Sequence, residues 1–440
     1  MRSTRARITV LLAATAAVVG LTPAAPAVAE VSGGVTIPAF YDPPATLPAA
    51  NGAIVRSQPT ALGVQLNLPG IVGPLPGSAT LIMYKSTDSN NQPVAVTGTY
   101  IEPDKAWGGP GPRPLVTFAE GTQGQGDQCA PSYGLTHALT VTGSTVVVNY
   151  EIPAIYSLLA KGVAVVVTDY VGLGTTDRLH TYVNRVDEGH AVLDAARAAL
   201  AVPGASVTAA SKVGAYGYSQ GGGASASAAE LQPTYAPDVN LVGAYAGAPP
   251  ADLNAVIKGI DGTSLAAAIG WALNGFVQSY PQLQPIVDAN VTASGRAQLK
   301  NLEQRCTIDG VAAFAFRKTS SLTTTGESLT QVIARYPAAQ AVVDAQRIGR
   351  IKPAVPVRIA SGTRDDLVDH AQVKQLARDW CGLGASVFYA PLAQALPTGG
   401  TGLNHIAPAF TDQSAAQGWL LARLTGVPAV SNCALVPALP

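Results

Sequence analysis

The sequence predicts an α/β fold, in which a mostly parallel central sheet carries helices on both faces and is interrupted by a helical insertion. Short apolar runs rich in β-branched residues alternate with helical patterns, which is typical of parallel strands that are buried on both sides. Residues 251–349 break this alternation with helical patterns alone, and we interpret them as a lid or cap. Residues 30–250 and 350–440 are therefore expected to form the core.

The N-terminus has the pattern of a secretory signal peptide. Three arginines, ending at Arg7, precede the apolar run 8–21, and the small residues 27–29 follow. Basic, apolar and then small residues are typical of a cleaved signal, and the run is short for a membrane anchor, which is the alternative. We expect residues 1–29 to be removed and the protein to be secreted, with association with the cell envelope left open.

The first core segment contains most of the predicted sheet. Residues 30 to about 75 are rich in Pro, Gly and Ala and predict an irregular arm over the core. Two strand patterns, 79–84 and 93–101, flank a polar turn and predict a hairpin. Further elements are predicted in this order: strands 113–119 and 162–168, a helix over 185–202, and strands 212–218 and 239–246.

The insertion and the second core segment complete the pattern. A helix is predicted over 264–280, with Leu265, Ile269 and Phe276 on one side, and another over 329–348 is broken by a proline. This apolar stripe predicts either an acyl-binding tunnel or simple packing of the lid on the core. The remaining predictions are strands 355–360 and 385–390, a helix over 370–380, and a last helix that ends at Leu424.

Charge and cysteine content restrict the partners. The 440 residues include 27 Lys and Arg and 27 Asp and Glu, without basic clusters, which argues against nucleic acid and anionic lipid as main partners. An even number of cysteines in an exported chain predicts two disulfides, and the residues alone leave three pairings open. The cysteines are Cys129, Cys306, Cys381 and Cys433.

Residues 217–221, Gly-Tyr-Ser-Gln-Gly, match the pattern G-x-S-x-G. A predicted strand precedes the motif, and small residues that can begin a helix follow it. In this context the motif forms a sharp turn that exposes a nucleophilic serine, and the flanking positions must be glycine. A flexible linker is the alternative for so glycine-rich a stretch. The motif predicts that Ser219 is a nucleophile.

The motif also predicts where the base and the acid lie. A serine nucleophile needs a histidine that a carboxylate orients, and in this architecture both follow the serine in the chain. Three of the five histidines precede Ser219, and one of these, His190, is expected on a solvated helix face. Because His370 is expected to begin a helix, His405, in a glycine-rich loop, is the predicted base.

Two neighbouring carboxylates follow the predicted strand 355–360. Asp365, three residues after a turn glycine, is the predicted acid, and Asp366 is the alternative. The spare carboxylate is expected to act as a cap or to lie at the surface. For an oxyanion, the backbone N–H of Gln220 is one expected donor, and that of Gly121 or Thr122 is the second.

Together these segments resemble the secretory lipase family. The resemblance is carried by the serine motif, the acid segment and the histidine segment just described, and by six shorter pieces. These pieces are FYDPP at 40–44, IVRS at 54–57, GT at 121–122, DQCAPS at 127–132, DYVGLG at 169–174 and GAPPADL at 247–253.

The resemblance implies an α/β-hydrolase core with a helical lid and hydrolysis of lipid esters without metal or organic cofactor. It places nucleophile, acid and base on Ser219, Asp365 and His405, and it pairs Cys129 with Cys306 and Cys381 with Cys433. Two departures are the segment AEGT at 119–122, where many relatives have histidine or aspartate, and the short stretch after the last cysteine, which leaves no room for a C-terminal flap.

The expected partner is a lipid or other ester, with transient contact with a lipid interface and a monomeric state. Three alternatives use the same fold. An acyltransferase would pass the acyl group to an alcohol, an exported peptidase would cleave amides, and a non-catalytic envelope protein would only bind.

Overall fold

The computed structural model describes residues 30–64, 77–137, 139–142, 145–394, 396–397 and 399–440. The predicted signal peptide, residues 1–29, lies outside the described residues, as does part of the predicted arm. Within the described ranges, no helix combines the length and the apolar character that crossing a bilayer requires.

The strands, in chain order, are β1 (Val31–Ser32), β2 (Val35–Thr36), β3 (Ile54–Thr60), β4 (Gly77–Thr87), β5 (Pro93–Pro103), β6 (Leu115–Ala119), β7 (Leu139–Thr142), β8 (Thr145–Val148), β9 (Ala164–Thr168), β10 (Val213–Tyr218), β11 (Leu241–Gly247), β12 (Val357–Gly362) and β13 (Val387–Leu392).

The helices, in chain order, are α1 (Pro131–His137), α2 (Ile152–Leu159), α3 (Arg185–Leu200), α4 (Gln220–Tyr235), α5 (Leu253–Ile260), α6 (Ala267–Ser279), α7 (Gln284–Asn290), α8 (Ala293–Leu302), α9 (Thr307–Phe314), α10 (Leu329–Arg335), α11 (Pro337–Ala345), α12 (His370–Gly382), α13 (Leu403–Thr411) and α14 (Gln413–Leu424).

One large sheet organises the core, with strand order β13-β12-β11-β10-β6-β9-β5-β4-β3. The strands from β13 to β9 run parallel, and β5, β4 and β3 extend the sheet through antiparallel pairs. Helices α3, α4 and α12 pack into the apolar core on one face, while α2 and α14 pack on the other. The predicted mostly parallel α/β sheet with helices on both faces is therefore confirmed.

This topology brings distant parts of the chain to one edge of the sheet. Because β6, β10 and β12 are parallel, the residues that follow them lie at the same edge. Residues 120–122 follow β6, Ser219 follows β10, and Asp365 comes shortly after β12. The loop after β13 leads at the same edge into α13, which carries His405.

Helices α5 to α11 follow one another between β11 and β12. In this fully described stretch, the only β-type pairings are isolated bridges, at Val291 with Thr323 and at Cys306 with Gly124. The helical nature of the insertion thus agrees with the sequence pattern. The bounds 30–250, 251–349 and 350–440 remain a prediction, because consecutive elements do not by themselves mark where one folding unit ends.

Two disulfides join elements that are far apart in sequence. Cys129 bonds to Cys306 across 177 residues, and Cys381 bonds to Cys433 across 52 residues. These are the pairs that the family resemblance implies. In the chain-entropy account, loops of this length make each bond worth roughly 4–5 kcal/mol. The first bond ties the segment after β6 to the start of α9, and the second ties the C-terminal segment to α12.

Three sequence-based predictions were wrong in detail. The predicted irregular arm contains β3, whose pairing with β4 supplies the order that its composition did not suggest. His190 is buried rather than solvated, because α3 places it beneath the β4–β5 turn, where its Nδ1 lies 2.7 Å from the Thr87 carbonyl oxygen. His405 lies in the first turn of α13 and not in the loop before it.

Candidate active site

Ser219 occupies a strained turn between β10 and α4. Its backbone has φ 58° and ψ −123°, a region that non-glycine residues rarely adopt, and its N–H donates to the Gly247 carbonyl at 2.8 Å. The two motif glycines permit the turn. A Cβ on Gly217 would run into the Gly221 carbonyl oxygen, and a Cβ on Gly221 would run into that of Ala119. The stretch is therefore a tight turn and not a flexible linker.

His405 lies against the serine. Its Nε2 is 2.8 Å from the Ser219 Oγ, and its side chain is almost completely buried. Tyr218, the residue before the serine, donates its hydroxyl to the His405 carbonyl at 2.7 Å. This bond couples the strand that positions the nucleophile to the helix that carries the imidazole.

Asp365 fixes the orientation of that imidazole. Its Oδ2 lies 2.8 Å from the His405 Nδ1, and its Oδ1 accepts the N–H groups of Leu367 and Val368 at 3.0 and 2.9 Å. Since a carboxylate can only accept, the Nδ1 atom carries the proton in this pair, and Nε2 is the atom that can accept one from the serine.

Asp366 has a different role. Its carboxylate accepts the N–H of Gly402 at 3.0 Å and that of His405 at 3.3 Å. It thus caps the start of α13 from outside the helix. The carboxylate is the acceptor of the Gly402 N–H, and it shares the His405 N–H with the Gly402 carbonyl, which lies at 3.1 Å. Of the two neighbouring carboxylates, Asp365 bonds to the imidazole of His405, and Asp366 bonds to the backbone at the start of α13.

The predicted oxyanion donors are only partly accessible. Gln220 begins α4, so its N–H has no carbonyl acceptor within the helix and lies directly beside the serine. The N–H of Gly121, however, donates to the Glu151 carboxyl at 2.7 Å and is already committed. Thr122 lines the same cavity as Ser219. Of the two residues predicted to supply the second N–H to an oxyanion, Thr122 is therefore the remaining candidate.

A buried polar network fixes the side chain of Gln220. Its Nε2 donates to the Nε2 of His180 at 2.9 Å and to the Glu188 Oε1 at 2.8 Å, while the His180 Nδ1 bonds to the Val171 carbonyl. Burial lowers the pKa of His180 to about 4 and raises the pKa of Glu188 to about 8. Sequence reasoning missed both residues, because they precede the serine by irregular spacings that match no motif.

Replacing Glu188 with glutamine should flatten the pH dependence of stability above pH 6.5. The pKa of about 8 in the folded protein lies above the ordinary glutamate pKa of 4.5 that applies to the unfolded chain, so stability falls as pH rises between these values. One such group contributes a slope of up to about 1.4 kcal/mol per pH unit. His180 titrates below pH 6.5 with the opposite sign and does not interfere above it.

Urea unfolding at pH 6.5, 7.2 and 8.0 measures this slope. The Glu188→Gln variant should lose a clear part of the decline that the wild type shows. Asp104→Asn removes an exposed carboxylate and should keep the decline unchanged. Equal slopes in wild type and Glu188→Gln would show that Glu188 is ionised in the folded state.

The serine opens into a cavity of about 370 Å³ with mostly apolar walls. Ile308, Ile406 and Phe410 line it and are each about half exposed, at 45%, 50% and 49%. A narrower apolar cavity also begins at Ser219 and passes Leu265 and Ile269 of the insertion. It shares lining residues with a further apolar cavity, which Phe276 lines, so the stripe predicted from the sequence lines neighbouring apolar cavities.

Comparison with known proteins finds similar sequences. Residues 137–432 match the sequence profile of the secretory lipase family. A probable inactive lipase of Mycobacterium tuberculosis is 32% identical over 352 residues, covering 80% of this chain and 75% of that protein. Lipase 10 of Candida albicans is 30% identical over 406 residues, covering 90% of this chain and 82% of that protein.

Solved structures show the same fold. Candida antarctica lipase A in its closed state superposes with a TM-score of 0.69 at 20% identity, covering 87% of this chain and 84% of that one. The rice cell wall degrading esterase LipA from Xanthomonas oryzae superposes with a TM-score of 0.71 at 16% identity, covering 85% of this chain and 100% of that one. The fold is that of the α/β-hydrolases.

Within that class, the chain belongs to the secretory lipase family. The family and its lipase relatives support ester hydrolysis by a secreted protein. One relative is named a probable inactive lipase, so membership of the family does not by itself make this chain catalytic. Whether it is catalytic depends on the residues around Ser219.

Proposed function

We propose that the chain is a secreted serine hydrolase that cleaves carboxylic esters of lipids through an acyl-enzyme. The observation that carries this proposal is the continuous hydrogen-bonded series from Asp365 through His405 to Ser219, with both distances 2.8 Å. Such a series makes a serine hydroxyl nucleophilic, and here it opens into an apolar cavity that suits a lipid ester.

The proposed reaction follows from which atoms carry protons. As the Ser219 Oγ attacks the ester carbonyl, its proton passes to the His405 Nε2. Asp365 accepts from Nδ1 and stabilises the imidazolium that forms. The imidazolium then protonates the departing alcohol, which leaves an acyl group on the serine. Water, deprotonated by the same Nε2, attacks this acyl group and releases the acid.

The tetrahedral intermediates carry a negative oxygen that needs donors. The N–H of Gln220 is available at the start of α4, where the helix dipole also favours negative charge. The second donor in our proposal is the N–H of Thr122. Removal of one such donor typically lowers kcat by about 10²- to 10³-fold, so the positions of these two groups matter for the rate.

The exposed apolar residues at the cavity mouth support transient contact with a lipid interface. Ile308, Ile406 and Phe410 line the cavity and also face solvent. Leu403 lies one turn before Ile406 on α13 and two turns before Phe410, with 53% of its surface exposed. A cluster of this kind is costly in water and is favourable against a lipid surface. It would bring the cavity mouth to the substrate.

Initial rates on p-nitrophenyl esters from acetate to palmitate test the proposed function. We expect hydrolysis throughout, with kcat/KM rising by at least about tenfold from butyrate to octanoate, since each buried methylene contributes about 0.8 kcal/mol. A fluorophosphonate probe should label Ser219 and block turnover.

The same assay separates the alternatives. If added glycerol receives most of the acyl groups while water is in excess, the protein is an acyltransferase. No turnover at any chain length, together with no labelling of Ser219, would indicate a non-catalytic binding protein of the kind that the name of the mycobacterial relative suggests.

A further inference from the structure

Two buried carboxyl groups flank residues 120–122, which we call the oxyanion loop. Glu120 belongs to the loop and is completely buried. Its Oε1 accepts from the Asn149 Nδ2 at 2.9 Å, and its Oε2 accepts from the Gln123 Nε2 at 2.8 Å. These two amide donors hold the side chain of Glu120 in one position beneath the loop.

Glu151 approaches the loop from the start of α2. Its Oε2 accepts the N–H of Gly121 at 2.7 Å, and the residue also lines the cavity that contains Ser219. Asn149 links the two acids, because its Nδ2 donates to Glu120 while its Oδ1 accepts the backbone N–H of Glu151 at 3.1 Å. The two carboxyl groups therefore belong to one network.

Hydroxyl groups donate to two backbone carbonyls of the loop. The Thr122 carbonyl accepts from the Thr307 Oγ1 at 2.7 Å and from the Tyr150 hydroxyl at 3.2 Å. The Glu120 carbonyl accepts from the Tyr170 hydroxyl at 2.6 Å. Among the described groups that bond directly to the loop backbone, Glu151 is the only carboxyl, and burial raises its pKa well above the ordinary value.

Positive charge does not balance the two acids. Across the described residues, no lysine or arginine acts on either carboxyl. The ionisable group that acts on Glu151 is Glu120, and the one that acts on Glu120 is Asp169. The other ionisable groups that face the pair from neighbouring elements are the phenols of Tyr150, Tyr170 and Tyr216. Two buried carboxyls without a cation cannot both ionise at low cost.

We propose that Glu120 and Glu151, linked through Asn149, retain at least one proton between them and act as a positioning pair, which holds the oxyanion loop and keeps a second negative charge away from the oxyanion. This inference rests on the proposed function, because the oxyanion exists only if Ser219 attacks an ester. Neither acid touches the reacting atoms in this role, since the contact with the loop runs through the Gly121 N–H.

The state of the pair sets an upper pH limit for the reaction. Burial raises the pKa of Glu120 to about 8 and holds the pKa of Glu151 well above its ordinary range. Below this limit the pair retains a proton. Above it both carboxyls are charged, with Glu151 at the cavity wall and Glu120 beneath the loop. These charges oppose the negative oxygen of the intermediate, and kcat falls by about tenfold or more.

The pH profile of kcat from pH 6 to 10 tests the pair. The wild type should show an alkaline fall that Glu151→Gln abolishes, with KM changed less than about threefold, because the glutamine carbonyl still accepts from Gly121. Glu151→Ala should lower kcat at every pH, since it releases the loop. Asp127→Asn removes another acid, whose pKa burial raises to about 7, and should keep the wild-type profile.

Infrared spectroscopy provides a readout that does not need activity. The wild type should show protonated carboxyl absorption at pH 7 that disappears on alkalinisation. Because Glu188 also contributes to it, the readout is the component that Glu120→Gln and Glu151→Gln each alter and that Glu188→Gln retains. Absence of this component, or an alkaline fall that persists in Glu151→Gln, overturns the pair. Failure of the proposed function is distinguishable, because it removes all ester turnover and leaves this component unaffected.

Discussion

Replacing Ser219 with alanine is expected to lower kcat on p-nitrophenyl esters by about 10⁵- to 10⁶-fold. The substitution removes the Ser219 Oγ, the atom that bonds to the His405 Nε2 and that would carry the acyl group. No acyl-enzyme can therefore form. Binding should change little, because the hydroxyl is a small part of the cavity wall. Initial rates, labelling with fluorophosphonate and retention of substrate analogues measure these three effects.

Ser225 provides a matched control on the same helix. It is fully buried on α4, and its Oγ has no hydrogen-bond partner among the described residues. Ser225→Ala should therefore retain folding, labelling and activity within about twofold. If Ser219→Ala kept more than about a hundredth of the wild-type rate, the hydroxyl of Ser219 would not be the nucleophile.

Replacing Asp365 with asparagine is expected to lower kcat by about 10⁴-fold while KM changes little. Asparagine can keep its place in the turn, but its amide favours the wrong tautomer of His405, with Nε2 protonated and unable to accept from the serine. Stopped-flow rates over a range of pH measure the loss, and thermal unfolding confirms that the variant is folded.

Asp366→Asn is the matched control one position along the chain. Its carbonyl oxygen can still accept from the N–H of Gly402, so we expect a loss of stability of about 1 kcal/mol and a fall in kcat of less than about tenfold. If Asp366→Asn were the more damaging of the two, the catalytic acid would be Asp366 and the carboxylate on the imidazole would be structural.

Much of this arrangement was predictable because it depends on local pattern. The β-branched runs identified the buried strands, and the glycines around Ser219 identified the turn, since each excludes a Cβ for a steric reason. The order of serine, acid and histidine then left few candidates. The choice between Asp365 and Asp366 was made from the distance along the chain to the turn glycine. Both carboxylates reach α13 in the structure, Asp365 at the imidazole and Asp366 at the backbone.

Other features could not be predicted because they depend on tertiary contacts. Nothing in the spacing of His180, Glu188 and Gln220 shows that their side chains meet, since one lies in a loop and two on different helices. Glu151 was missed for the same reason. Its contact with Gly121 removes a donor that the sequence had left open, and only the packing of α2 against the sheet reveals it.

The bond between Cys129 and Cys306 restricts how the cavity can widen. Cys306 directly precedes α9, whose Thr307 bonds to the Thr122 carbonyl and whose Ile308 lines the cavity. This end of α9 is therefore anchored to the segment that contains Thr122, the proposed second oxyanion donor. Any displacement of the inserted helices that admits a bulky substrate must pivot about this anchored end, and the largest movement must occur in helices farther from Cys306.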